Sequence, residues 1–261
     1  MSDVRLGGQV ALVTGGGKGI GRAIALELAA RGAGVLVTGR DERSLGETVG
    51  EIVHGGGRAR HLPGDVRQAS HARDAVGLAW SVWGRLDVVV ANAGVAGTTK
   101  MGGGDEERAR AVIETNLLGT YFLFDQALAR MSGPGRLVAI SSVLGKFGAA
   151  GQGAYCASKA GLHGLVRAVA LEVGSRRITC NAICPGWVDT EMARARLADL
   201  AAEQAKGVDA MTREARAAVP VGRFVEAEEV ARLVAFLCSS AADAITGQAI
   251  SICGGTTAFA G

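Results

Sequence analysis

Short, unbroken runs of aliphatic and β-branched residues recur along this chain: "VALV" from Val10, "VLV" from Val35, "VVV" from Val88 and "LVAI" from Leu137. A strand with one wet face alternates apolar and polar residues; a run apolar throughout needs cover on both faces, as in a parallel sheet between helix layers. The runs predict strands at Gln9–Thr14, Gly34–Thr38, Arg58–Leu62, Leu86–Ala91, Arg136–Ser141, Ile178–Ile183 and Ala249–Ile252. Between them, helical patterns lie near Gly19–Arg31, Asp41–His54, Gln68–Trp83, Asp105–Met131, Gln152–Val173 and Glu226–Cys238. Strict alternation of this kind predicts an α/β fold, a doubly wound, seven-stranded parallel sheet flanked by helices. No linker, repeat or low-complexity tract interrupts it, so residues 1–261 read as one domain. About residues 191–218 the rhythm breaks: a long helix-favouring segment follows the sixth strand, a candidate lid over a substrate.

Composition narrows the function classes. The 28 basic and 25 acidic residues nearly balance and are scattered, unlike the single basic stripe of a nucleic-acid binder. No run approaches the ~20 apolar residues of a membrane span and no leader-like N-terminus is evident, so a cytoplasmic setting is expected. The odd set Cys156, Cys180, Cys184, Cys238 and Cys253 argues against a disulfide framework and for buried thiols. His54, His61, His71 and His163 lack metal-ligand spacing and read as surface or satisfied packing residues, with no metal expected.

The first apolar run ends in "TGGGKGIG", and a helical pattern begins at once. A strand turning directly into a helix needs glycine for positive φ and for backbone close to a ligand, and the helix start then offers free N–H groups to an anion. Gly15, Gly19 and Gly21 do not have GxGxxG spacing, and Lys18 is followed by glycine rather than the Ser or Thr of a triphosphate loop. An NAD site would place a carboxylate at the tip of the second strand. Here that tip is Gly39-Arg40, and Asp41 falls where it would cap the next helix. Arg40 with Lys18 suits a 2′-phosphate, which favours NADPH over NADH; a solvated arginine and an ordinary turn lysine are the alternative.

Two further stretches carry chemistry. In "SSVLGKFGAAGQGAYCASKAG", Tyr155 and Lys159 are one helical turn apart. A cation within ~4–6 Å would lower a phenol by roughly 1–3 pH units from ~10, towards useful acid–base range. Ser142, at the tip of the fifth strand, is placed to donate to a carbonyl oxygen as charge builds on it. Asn116, in "VIETNLLGTYF", sits within a helical pattern it does not favour, which invites a specific use such as ordering water beside Lys159.

Together these motifs resemble the short-chain dehydrogenase/reductase family, over Gln9 to Gly255. The matching pieces are the turn Thr14, Gly15, Gly19 and Gly21; Asp65-Val66; Asn92-Ala93-Gly94; Asn116; Ser142; Tyr155 with Lys159; and Pro185–Thr190. The resemblance implies a Rossmann domain. It also implies that Gly17, Lys18, Ile20 and Arg40 join the glycine turn against the cofactor, and that Asp65 and Val66 hold adenine. Asn92, Ala93 and Gly94 would line the groove, and Pro185, Gly186, Val188 and Thr190 would meet the nicotinamide end. Thr190 would bond the carboxamide and Lys159 the nicotinamide ribose. Tyr155 would donate a proton to a carbonyl polarised with Ser142, replenished through Lys159, ribose, Asn116 and water.

The C-terminal third is similar to polyketide ketoreductases and 3-oxoacyl-carrier-protein reductases. That implies reduction of a β-ketoacyl or polyketide-like ketone, carried as a carrier-protein or coenzyme A thioester. The alternative is an NAD(P)-dependent secondary-alcohol or hydroxyacid dehydrogenase. Val143, Leu144, Phe147, Gln152, Trp187 and Met192 read as an apolar pocket wall, although Phe147 and Trp187 equally suit core packing. Lys100, Arg194, Arg196, Lys206 and Arg213 stand near the expected entrance, as guides for a charged arm or as a solvated surface. The family further implies a homotetramer, with Ala154, Ala157, Ala160, Gly161 and Gly164 allowing close helix approach.

Overall fold

The computed structural model describes residues 4–258; residues 1–3 and 259–261 of the expected domain lie outside them. Seven parallel strands form one sheet in the order β3-β2-β1-β4-β5-β6-β7. They are β1 Val10–Thr14, β2 Gly34–Gly39, β3 Arg58–Pro63, β4 Val88–Ala91, β5 Gly135–Ile140, β6 Ile178–Pro185 and β7 Ala249–Ile252. The central strands are buried along their whole length, as their unbroken apolar character requires. The order reverses between β1 and β4, which leaves a crevice at the carboxyl ends of those strands.

On one face lie α1 (Gly19–Ala30), α2 (Glu42–His54) and α9 (Ala227–Leu237), closing a core built on Ile24, Leu28, Val35, Val37 and Val234. On the other lie α3 (Ala69–Trp83), α4 (Glu106–Ile113), α5 (Gly119–Leu128) and α6 (Gly153–Val173), closing a core around Leu12, Val89, Phe124, Leu137 and Leu162. The segment after β6 holds α7 (Glu191–Glu203) and α8 (Val208–Ala217), where the lid is expected. These helices have their own small core of Leu197, Ala201, Met211, Val219 and Phe224.

The single helix expected over Asp105–Met131 is not continuous. Between α4 and α5, Glu114–Leu118 form one π-helical turn centred on Asn116. Such a wide turn leaves the regular hydrogen-bond ladder and commonly marks a functional position. Asp41 caps α2 through Ser44 N, as its place in the sequence suggests. Cys180, Cys184, Cys238 and Cys253 are buried free thiols, Cys156 is half-buried, and the described residues hold no cluster suited to a metal ion. Among the described residues no helix is long and apolar enough to cross a membrane.

Candidate active site

The crevice is built by the tips of β1 and β4. Thr14 Oγ1 accepts from the backbone N–H groups of Asn92 and Ala93, both at 3.0 Å, while Asn92 Nδ2 donates to Thr14 O at 2.9 Å. Gly15 and Gly19 have φ of 66° and 51°, the left-handed region that glycine adopts without strain. A Cβ at Gly15 would lie 2.9 Å from Asn92 Nδ2, and one at Gly21 would overlap the Gly15 carbonyl oxygen. Gly17 leaves no room either, being packed on Ser44. Lys18 opens α1 without a side-chain cap, so the first N–H groups of that helix, including Ile20's turn, remain available to an anion. On the opposite rim Thr190 approaches Gly19, while its own Oγ1 caps α7 through Ala193 N and donates to Val188 O.

Charge at the tip of β2 is richer than expected from Lys18 and Arg40 alone. Lys18 Nζ is 3.1 Å from Asp41 Oδ2, and this pair raises the lysine and lowers the carboxyl from their ordinary values. Arg40 is exposed beside them. Arg67 grips Asp65 with Nε at 2.9 Å and Nη2 at 2.6 Å, and its hydrogen bonds hold the Asp65 carboxyl below the usual range, with Arg40 adding through space. Arg67 was not singled out by sequence; a basic residue two positions after Asp65 was its only signal. The cradle of glycines, an uncapped helix start and three cations suit a dinucleotide bearing a further phosphate. Val66 packs on Gly119 at the start of α5.

The candidate catalytic residues converge at the ends of β5 and α6. Ser142 lies two residues beyond the end of β5; its Oγ accepts from Leu144 N at 3.1 Å and stands within hydrogen-bonding reach of the Tyr155 phenol. Lys159 Nζ lies 5.7 Å from the Tyr155 ring centre and donates to Ile140 O at 2.8 Å. Burial lowers the Lys159 ammonium to about 8. Burial also raises the Tyr155 phenol, and the opposing hydrogen bond to Ser142 is the smaller effect. The expected lowering of the phenol is therefore corrected. The ammonium bonds a carbonyl rather than the hydroxyl, and a desolvated phenol resists ionising. Such a phenol stays protonated, the state a proton donor needs.

The Asn116 side chain is tied to its neighbours. Its Nδ2 donates to Val95 O and to Ser158 Oγ, each at 3.0 Å, and its Oδ1 accepts from Val95 N at 2.8 Å. Both amide hydrogens are thus committed to the β4–α4 loop and to α6. Gly94 lies against Asn116 Oδ1 and Lys159 Nζ, where a Cβ would be 3.2 and 3.5 Å away. Asn116 holds the groove wall against α6.

Of the expected pocket wall, Val143 and Leu144 form a short turn after Ser142, Phe147 is half-buried and Met192 half-exposed on α7. Gln152 is buried with no partner for Nε2. Trp187 stacks on Phe224 at 5.8 Å, joining the small core beneath α7 and α8, so packing claims much of its ring. Pro185 and Gly186 continue β6 towards this end, with Gly186 packed on Cys253 and Val188 bridged to Val225. Arg194, Arg196 and Lys206 pair with Asp189, Glu203 and Glu214, which favours the solvated-surface reading of the basic residues. His163, expected to be a satisfied packing residue, is buried in a polar cluster with Ser141 and Cys184. His71 is buried too, but its Nε2 has no partner, contrary to that expectation.

Comparison with known proteins agrees with this fold. A family model described as enoyl-(acyl carrier protein) reductase matches residues 15–257. The 3-oxoacyl-[acyl-carrier-protein] reductase FabG of Escherichia coli (strain K12) is 36% identical over 250 residues, covering 95% of this chain and 97% of that protein. A crystal structure of an actinorhodin polyketide ketoreductase variant with NADPH superposes with a TM-score of 0.92 at 37% identity, covering 95% of this chain and 97% of that one. A putative NAD(P)-dependent gluconate 5-dehydrogenase from Beutenbergia cavernae, with bound NADP, gives 0.89 at 35% identity, covering 98% and 100%.

Proposed function

The chain belongs to the short-chain dehydrogenase/reductase family, and on that premise we propose that it is an NADPH-dependent ketoreductase acting on a β-ketoacyl or polyketide-like ketone. The observation that carries this reading is the half-buried Tyr155, its phenol desolvated and so kept protonated, within reach of Ser142 and beside the Lys159 ammonium. The nicotinamide, when bound, supplies the hydride. Ser142 and Tyr155 hydrogen-bond the ketone oxygen, so that negative charge developing there meets two donors already in place. Tyr155 delivers the proton, and Lys159, titrating near 8, restores it at neutral pH. Lys18, Arg40 and Arg67 hold the 2′-phosphate, Gly15 to Gly21 and the α1 N-terminus the pyrophosphate, and Asp65 and Val66 the adenine. Asn92–Gly94, Pro185, Gly186, Val188 and Thr190 line the remainder of the groove.

Val143, Leu144, Phe147, Gln152 and Met192 contact substrate, with α7 and α8 as its lid. The names of the carrier-protein and polyketide reductases among its relatives support a thioester-borne substrate. Exposed Leu118, Tyr121 and Leu171, around α5 and α6, support assembly into a homotetramer through those helices; Gly161 takes no part, since it packs on Leu117 of its own chain. A second reading, oxidation of a secondary alcohol or hydroxyacid, is favoured by the likeness to the gluconate 5-dehydrogenase structure.

A panel of β-keto thioesters, polycyclic ketones and hydroxyacids, followed by NADPH absorbance in both directions, tests these readings. We expect ketone reduction with NADPH over NADH, abolished by Tyr155→Phe. Full activity of Tyr155→Phe, or turnover of alcohols alone, overturns the assignment.

A further inference from the structure

Behind Lys159 lies a cluster that the proposed chemistry leaves unused. His163 is one helical turn beyond Lys159 on α6, and its Nε2 is 3.0 Å from Ser141 Oγ and 3.3 Å from Cys184 Sγ. All three side chains are buried. Ser141 is the first residue after β5 and immediately precedes Ser142; its backbone N–H donates to Ile183 O at 2.7 Å, tying this end of β5 to β6. Its hydroxyl donates to Lys159 O at 3.0 Å.

That last bond decides the imidazole's tautomer. A carbonyl oxygen only accepts, so the Ser141 hydrogen is spent on Lys159 O, and Ser141 Oγ must accept from His163. Nε2 therefore carries the hydrogen, with the Cys184 sulfur as a second, weaker acceptor. Lys159 is consequently held at both ends by adjoining residues at the end of β5: its ammonium by Ile140 O, its carbonyl by Ser141 Oγ. The turn after Ser142 presses on the same place, for a Cβ at Gly145 would meet the Lys159 carbonyl at 2.8 Å and His163 Cε1 at 2.9 Å.

We propose that His163 is a positioning residue: its Nε2–H, received by Ser141 and Cys184, locks the ends of β5 and β6 to the turn of α6 that presents Lys159, and so sets Ser142 against Tyr155. This rests on the reading of Ser142, Tyr155 and Lys159 as the reacting set. The imidazole touches no reacting atom, so its effect falls on the alignment of groups during reaction, and misplacement by about 1 Å costs on the order of a hundredfold in such sites.

The test compares His163→Leu, His163→Gln, Ser141→Ala and Tyr155→Phe as full-length proteins, with NADPH affinity by fluorescence titration and ketone reduction by steady-state kinetics. His163→Leu is expected to lower kcat about ten- to hundredfold while KM and NADPH affinity stay within about threefold. His163→Gln, whose carboxamide offers an N–H at nearly the same place, should recover most of that loss. Ser141→Ala should fall like His163→Leu, and the double variant should be no worse than either alone, since both break one linkage. If the leucine variant does not fold, Ser141→Ala against His163→Gln carries the comparison. Wild-type kcat in His163→Leu or Ser141→Ala, or equal impairment of the leucine and glutamine variants, overturns the proposal. An active Tyr155→Phe would instead overturn the reading of the reacting set.

Discussion

Replacing Lys159 by methionine should make the protein more stable and inactive, with a pH dependence that identifies the cause. Lys159 is 4% exposed, and burial pulls its ammonium from 10.5 to about 8. At ~1.4 kcal/mol per pH unit, holding that charge inside costs the folded state about 3 kcal/mol. Methionine keeps a long unbranched chain without the charge, but forfeits the hydrogen bond to Ile140 O, on the order of 1.5–3 kcal/mol for a charged donor. A net gain of about 1 kcal/mol is therefore expected where the wild-type lysine is charged in both states. Because the folded value lies below the unfolded one, the unfolded chain binds more protons between them, and wild-type stability rises with pH across that window. The methionine variant has no such group, so its advantage should shrink by about 2–3 kcal/mol from pH ~7.5 to ~10 and reverse. Urea unfolding of both proteins across this range measures the difference, in which the other titrating groups cancel. A difference that does not change with pH would refute the argument that burial alone depresses Lys159.

Four further outcomes are expected. In the reductive direction kcat/KM for the ketone should decline as pH rises through about 8, where Lys159 loses the proton it returns to Tyr155; a flat profile there would dissociate Lys159 from the proton supply. Gly21→Ala, whose Cβ overlaps the Gly15 carbonyl oxygen, should weaken NADPH binding more than about tenfold by titration calorimetry. Gly46→Ala, in α2 with nothing near its Cβ, should leave binding intact and raise stability by about 0.5–1 kcal/mol. Burial lowers both His71 and His163 below 6.5, so the unfolded chain takes up protons first and stability should fall as pH drops below about 6.5. His71→Leu should flatten that decline in thermal unfolding.

Much of the site was legible because its signals are local. The unbroken runs placed β1, β2, β4 and β5 to within two residues at each end, since a strand buried on both faces has no alternative to continuous apolar character. Tyr155 and Lys159 share a face by helical period alone, and Asp41's capping role follows from its place before α2. The helix Asp105–Met131 reads as continuous because composition carries no trace of a π-turn. That turn accompanies the hydrogen bonds of Asn116 to Val95 and Ser158, which are 21 and 42 residues away.

The same division holds for charge and protonation. Sequence by itself determined the layered sheet and the glycine cradle at its switch point, and singled out Ser142, Tyr155 and Lys159 as the proposed reacting set, because spacing and residue chemistry act over a few neighbouring positions. Tertiary structure alone decided that the phenol is raised rather than lowered, that Lys18 is shared with Asp41, that Arg67 holds Asp65, and that His163 stands behind Lys159. Desolvation and hydrogen bonding depend on what the rest of the chain packs against each group. Spacing along a sequence specifies which groups can meet; only the folded interior sets what their meeting does to a proton.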